Sequence, residues 1–268
     1  MTKIKIFVVP EKENYQEMVN NHYDLQAEKH GTSLESTIGD MNIRRLEIEN
    51  LTKYLKNNKK CLEVGCGNGA ATIEISKIKK LDLTSIEPNK KLFSIAQQQD
   101  VTDILGKINF LNENILKFYK ENTFEQIFSI RCIINLLTKN DQKNALSNMA
   151  RSLQPGGDLI LLEAFSDGLK ELNLVRNELD LENLPGAPHN LHLDKIFVIE
   201  HLENENLEFV HEDNFLSSYY FFTRALYPAI TKLNNSNIVK NSKIDYFFSF
   251  FPPYGNFAHI KILKFRKK

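Results

Sequence analysis

Residues 62–70 read Leu-Glu-Val-Gly-Cys-Gly-Asn-Gly-Ala, with Gly65, Gly67 and Gly69 in GxGxG spacing directly after Glu63. Lacking Cβ atoms, such a turn takes positive φ and lets the backbone approach a ligand closely, while the helix that it opens presents unpaired N–H groups. A second carboxylate, Glu87, ends the next apolar run, Leu-Thr-Ser-Ile-Glu-Pro-Asn. There a carboxylate can accept both hydroxyls of a ribose. The pair points to a nucleotide-type cofactor. The dinucleotide fingerprint uses the same physics but spaces its glycines GxGxxG; here the third glycine arrives one residue early, and an acidic residue before the turn is foreign to that fingerprint. A plain tight turn, with Glu87 as a surface charge, is the other reading of these residues.

The elements that must hold this turn follow from periodicity. Short apolar runs alternate with amphipathic stretches from Cys61 onward, the pattern of β/α units in a parallel sheet. Strands are expected at 60–64, 82–86, 107–111, 125–130 and 157–163, and helices near 69–79, 90–102 and 139–152. A further helix at 193–203, a sixth strand at 207–215, a helical insertion at 217–233 and a last strand at 255–266 complete the pattern. A hairpin of the last two strands makes the sheet mostly parallel with one antiparallel member. The fold class is therefore α/β, a Rossmann-like doubly wound sheet with a helical N-terminal segment and a helical cap insertion. Residues 1–58 form the helical segment, expected to cover the cofactor cleft. Residues 59–268 form the core, with substrate-side insertions at about 166–192 and 217–250.

The 268 residues, 42% of them hydrophobic, suffice for one substantial core. Lys+Arg and Asp+Glu are both 34, so no charge excess favours a nucleic-acid backbone or an anionic membrane surface. The N-terminal Met-Thr-Lys-Ile-Lys-Ile-Phe-Val-Val-Pro lacks the long apolar region of a signal peptide. No window approaches the ~18 apolar residues of a membrane span. Cys61, Cys66 and Cys132 are odd in number and lack C-x-x-C spacing, so reduced thiols, a cytoplasmic setting and no metal site are expected. The expected state is a monomer or homodimer.

The segments LEVGCGNGA (62–70), TSIEPN (84–89), NFLNENILKF (109–118), IFSIRCIINLL (127–137) and LQPGGDLILLEAF (153–165) resemble, in order and spacing, the successive motifs of class I S-adenosylmethionine-dependent methyltransferases. The resemblance covers most of 40–165. It implies S-adenosyl-L-methionine as cofactor, with Glu63, Gly65, Cys66, Gly67, Asn68 and Gly69 around the methionine moiety. Glu87 and Pro88 would lie at the ribose, Asn114 and Ile115 at the adenine, and Arg131 beside the transferred methyl. Asn114 stands where the family usually has Asp. Pro155, Gly156 and Gly157 look like the turn before the fifth strand.

Within the family, IINLL, Asp141-Gln142, GLKELNLVR (168–176) and Pro188-His189-Asn190 resemble a bacterial group of small-molecule methyltransferases. Leu137 stands where proline is usual there, and Pro188 where an aromatic residue is usual. The acceptor expected is a small molecule methylated on O or N, such as a sugar or surface-glycan precursor. C-methylation of a quinone-type lipid and a non-catalytic cofactor-binding protein are the alternatives.

If the acceptor is a hydroxyl or a protonated amine, a base must take its proton. His189 is the first candidate and His192 the second, both in the loop after the fifth strand; local hydrogen bonding is the other role for loop histidines. Arg131 and Asn135 either reach substrate or cap their loop. Glu163 either orients the acceptor or pairs with Arg131. Asp40 and Arg44, with Glu47 on the same stretch, reach the cleft if 36–51 folds back over the strand ends; otherwise they form a solvated helix face. Asn190 belongs to the presumed substrate loop. Tyr219, Tyr220 and Arg224 are candidates to cap the pocket, Arg224 for an anionic group, although aromatics at helical spacing also serve as core. Phe251-Pro252-Pro253-Tyr254 lacks the polar first residue of the amino-methylating signature and is read as a proline turn.

Overall fold

The computed structural model describes residues 12–268, with side chains from Tyr15 onward. The N-terminal run weighed as a leader lies outside the described residues. The element order is α1 (Lys12–His30), α2 (Met41–Tyr54), β1 (Lys59–Val64), α3 (Ala70–Ile78), β2 (Leu81–Ile86), α4 (Lys90–Ala96), β3 (Lys107–Leu111), β4 (Phe124–Ile130), α5 (Lys139–Ser152), β5 (Leu153–Ala164), α6 (Ser166–Glu178), α7 (Lys195–Asn204), β6 (Leu207–Asp213), α8 (Ser217–Phe221), α9 (Tyr227–Leu233), α10 (Lys243–Phe248) and β7 (Ile260–Lys267). Short 3-10 turns sit at Leu34–Thr37 and Ile133–Asn135.

Among the described residues, seven strands form one sheet in the order β3-β2-β1-β4-β5-β7-β6. The first five pair in parallel, and β7 runs antiparallel to both β5 and β6. This is the expected doubly wound sheet with an antiparallel last strand. Ile127, Phe128 and Leu159–Leu162 have no solvent exposure, as strands covered on both faces require. The chain order reverses between β1 and β4. At such a switch point the crossovers leave to opposite sides, and a crevice opens at the carboxyl ends of the strands.

Four local features differ from the periodicity reading. β5 begins at Leu153, and its register with β4 jumps from Phe124↔Leu153 to Gln126↔Asp158. Pro155, Gly156 and Gly157 are thus a bulge inside the strand, with Gly156 at φ 75°. α4 stops at Ala96, six residues short of the expected 102, in a tight turn where Gln98 and Gln99 donate to the carbonyls of Ile95 and Ala96. The 217–233 helix contains a π turn at Phe222–Leu226, next to the Thr223 hydroxyl that donates to the Tyr219 carbonyl (2.6 Å). α10 was not expected; Ser242 and Asp245 close a capping box at its start. The Pro252-Pro253 turn is tied to α8, where Ser218 donates to the Pro252 carbonyl (2.7 Å).

Candidate active site

β1 ends at Val64, and the chain turns under the end of β2, with the N–H groups of Gly65 and Cys66 donating to the Ile86 carbonyl (2.9 and 3.1 Å). Gly65, Gly67 and Gly69 have φ of 79°, 59° and 78°, the left-handed region that favours glycine. A Cβ on Gly65 would lie 2.6 Å from Cβ of Cys132. The turn therefore sits flush against the segment that follows β4. Asn68 donates to the carbonyls of Gly31 and Ser33 (both 2.8 Å), tying the turn to the N-terminal segment.

Two buried carboxylates flank it. Glu87 accepts the Gly67 N–H (2.9 Å) and the Asn89 N–H (2.8 Å). Burial pushes its carboxyl up to about 7 against these two donors. Glu63 accepts the hydroxyls of Thr72 (2.7 Å) and Ser85 (2.8 Å), and burial raises it likewise to about 7.

Above the turn lies a cavity of about 250 Å³. Glu63, Gly65, Cys66, Gly67, Asn68 and Glu87 line it, as do Pro88, Asn114, Ile115 and Arg131, while Gly69 lies just behind as the first cap of α3. Tyr15, Tyr23 and Thr37 from the N-terminal segment form the opposite wall. α1 is held there by Asn89, whose amide donates to Asp24 (2.8 Å), and by the Tyr15 phenol, which donates to Asp141. Asn114 turns its carbonyl oxygen to the Leu116 N–H (2.9 Å), closing a local turn under the cavity floor. The donor set fits an adenosyl cofactor: a ribose-type carboxylate after β2, close backbone at the glycines, and an enclosed floor at Ile115.

Arg131 belongs to this wall and also to that of a second cavity, about 290 Å³, beside it. Its backbone has φ 50°, a conformation that costs a non-glycine residue about 1–3 kcal/mol and marks a position held by its surroundings. Nε donates to Glu47 (2.7 Å) and Nη1 to the Thr37 carbonyl (3.0 Å). Glu47, with no solvent exposure, also accepts from Arg44 (3.0 Å). Burial pulls the Arg44 guanidinium down to about 10, and Arg44 reaches the cofactor cavity and the Thr37 hydroxyl.

Asp40, Asn190, Tyr220 and Arg224 line the second cavity. Asp40 caps α2 through the Asn42 and Ile43 N–H groups and binds Arg224 Nη2 (2.6 Å). Tyr219 stands behind, its hydroxyl donating to Asp40 (2.9 Å). The remaining aromatics of the insertion pack on one another, as in the Phe222–Phe248 stack at 4.5 Å.

The structure sets other candidates apart. Glu163 is fully buried and accepts from Ser129 (2.7 Å) and from the N–H groups of Cys132 and Ile133 (3.0 and 3.1 Å). It thereby caps the 3-10 turn after β4, and Glu47 pairs with Arg131 in its place. Asn135 lines the cofactor cavity while donating to the Arg131 carbonyl (3.1 Å). His189 lines neither cavity; its ring stacks on His22 at 3.8 Å. His192 stacks on His259 at 5.0 Å. Sequence reasoning passed over Tyr23, Thr37 and His259, which reach the site from remote parts of the chain. The first and third carried no local motif. Thr37 lay one residue inside the 36–51 stretch already singled out.

Residues 61–157 match the family model described as a methyltransferase domain. An O-methyltransferase of Aspergillus nomiae is 28% identical over 111 residues, 41% of this chain and 48% of that protein. A demethylmenaquinone methyltransferase of Bacillus licheniformis is 32% identical over 113 residues, 38% of this chain and 43% of that protein. The chain thus spans about half the length, or less, of these relatives. Magnesium protoporphyrin IX methyltransferase from Synechocystis, in its structure with bound SAH, has a similar fold, with a TM-score of 0.57, 12% identity, and coverage of 96% of this chain and 98% of that one. Residues 61–157 thus match a methyltransferase domain, and the chain around them has a fold similar to that of S-adenosylmethionine-dependent methyltransferases of known structure.

Proposed function

We propose that the protein is an enzyme that transfers a methyl group from S-adenosylmethionine to a small-molecule acceptor, on oxygen in the first instance. The observation that carries this reading is the pair of adjoining cavities sharing Arg131, the first lined by the glycine turn and Glu87 and the second beside it lined by Asp40 and Arg224. Glu87 would hold the ribose, Asn114 and Ile115 would border the adenine, and Glu63 with the glycine turn would hold the methionine moiety. When bound, S-adenosylmethionine supplies a methyl already activated on a sulfonium, so the protein's share is alignment and exclusion of water. The α1 wall excludes water, and Arg131 orients what enters from the second cavity.

The Aspergillus relative is an O-methyltransferase, which supports oxygen as the methylated atom. A sugar or surface-glycan precursor is one acceptor within this reading. The Bacillus relative favours a second reading, C-methylation of a quinone-type lipid. Incubation with methyl-labelled cofactor and separate phenol, sugar, carboxylic acid and quinol acceptors tests both. Label in any small molecule supports transfer. Binding of S-adenosylhomocysteine with no label in any of them would make this a cofactor-binding protein instead.

Two expected results follow from the site's electrostatics. Only the ionised Glu87 accepts both ribose hydroxyls, and its carboxyl stands at about 7. Affinity for S-adenosylhomocysteine should therefore rise by at least about tenfold between pH 6 and pH 8 and level off above, the ionisation of Glu87 alone giving about tenfold and that of Glu63, also near 7, adding to it. Calorimetry showing a flat profile would remove Glu87 from the ribose. His189, lowered to about 4 by burial and then by His22, is neutral but a weak base. His189→Ala should lower turnover by less than the ~100-fold of a lost general base, with cofactor affinity unchanged; a larger loss in turnover would make it the base.

A further inference from the structure

The second cavity gathers charge unevenly. Arg131, Arg224 and Lys240 line it against one carboxylate, Asp40. Much of the remaining wall is apolar, with Ile38, Ile43, Ile134 and Ile260. Arg131 spends Nε and Nη1 on Glu47 and Thr37, and Arg224 spends Nη2 on Asp40. Nη2 of Arg131 and Nε and Nη1 of Arg224 have no hydrogen-bond partner among the described residues, and neither does the exposed Lys240 ammonium. One free N–H from each guanidinium can meet one oxygen of a planar carboxylate in a charge-assisted hydrogen bond.

The neighbouring titratable groups are poorly suited to deprotonating an alcohol. Burial pulls His259, in this wall, down to about 3, and His189 to about 4. It pushes the phenols of Tyr23 and Tyr220 up. Glu47 is held between two arginines, and Asp40 is held by Arg224 and the Tyr219 hydroxyl. An acceptor that arrives already deprotonated needs none of them.

We infer that the acceptor is a carboxylic acid with an apolar body, bound as its carboxylate across Arg131 and Arg224 and methylated on oxygen to a methyl ester. This rests on the methyl-transfer reading above. A carboxylate oxygen lone pair forms the new O–CH3 bond as the S–CH3 bond breaks, and the electron pair of the broken bond stays on sulfur. The sulfonium charge and the carboxylate charge vanish together, and no proton is taken or released.

The test is calorimetric titration of the full chain, first with S-adenosylhomocysteine and then, on the loaded protein, with benzoate, benzyl alcohol and phenyl phosphate. Benzoate should bind at least ~10-fold more tightly than benzyl alcohol, the worth of one charge-assisted hydrogen bond, and phenyl phosphate no more tightly than benzoate. Arg224→Gln should weaken benzoate by about tenfold and Arg224→Lys should restore part of it, with S-adenosylhomocysteine affinity unchanged in both. Lys240→Gln, at an exposed residue without partners, should weaken benzoate by a smaller factor with no risk to folding. Benzoate binding no tighter than benzyl alcohol, a preference for phenyl phosphate, or benzoate affinity untouched by both the Arg224→Gln and Lys240→Gln changes would overturn the carboxylate assignment alone. Failure of the wild type to bind S-adenosylhomocysteine would sink the methyl-transfer reading, and the inference with it.

Discussion

Gly65→Val should weaken S-adenosylhomocysteine binding by roughly a hundredfold while leaving the sheet folded. The left-handed backbone at φ 79° costs an L-residue about 1–2 kcal/mol. The new Cβ would also meet Cys132, 2.6 Å from its Cβ, and over-packing of this kind costs about 1–3 kcal/mol more. Relief comes only by moving the turn or the segment after β4, both of which wall the cofactor cavity. A displacement worth ~3 kcal/mol lowers affinity by roughly a hundredfold. The double variant Gly65→Ala with Cys132→Gly removes the clash and should recover part of the loss. Undiminished binding by Gly65→Val in calorimetry would place the cofactor elsewhere. At Gly67 an added Cβ meets only a Thr37 methyl group at 3.5 Å, so the same substitution there should do less.

Glu47→Ala should be the most destabilising change at the site. Its carboxylate has no solvent exposure and bonds both Arg44 and Arg131. Removing it leaves two guanidinium groups facing each other without their counter-charge, and breaking a buried ion pair from one side costs about 3–5 kcal/mol. That is a large share of a typical domain's stability. Urea unfolding should show the midpoint falling with an unchanged slope. A loss below ~1 kcal/mol would mean that the pairs are open to water, since that is the worth of an exposed ion pair. Cofactor affinity should fall as well, because Arg44 and Arg131 both wall the cofactor cavity.

How far the chain could be read depended on how local each feature is. The glycine turn and the carboxylates at 63 and 87 act within a few residues of one another's strands, so their spacing carried them. β5 shows the limit. Pro155-Gly156-Gly157 reads as a turn in any window of the sequence, and only pairing with β4 absorbs it as a bulge. Glu163 shows it again: a carboxylate at a strand end looks available until the chain after β4 folds its N–H groups onto it. α10 was legible in its capping box, but the aromatic run around it masked the signal.

The sequence by itself determined the β/α alternation, the antiparallel last strand and the glycine turn between β1 and α3. These follow from hydrophobic period and from the backbone freedom of glycine, which neighbouring residues decide. The tertiary structure alone decided the walls of the second cavity. Asp40 and Arg224 are 184 positions apart, Asp40 and Tyr219 are 179 apart, and Glu47 and Arg131 are 84 apart. Contacts at that separation depend on where α2 and the 217–233 helix cross the strand ends, and no local pattern of residues encodes that crossing.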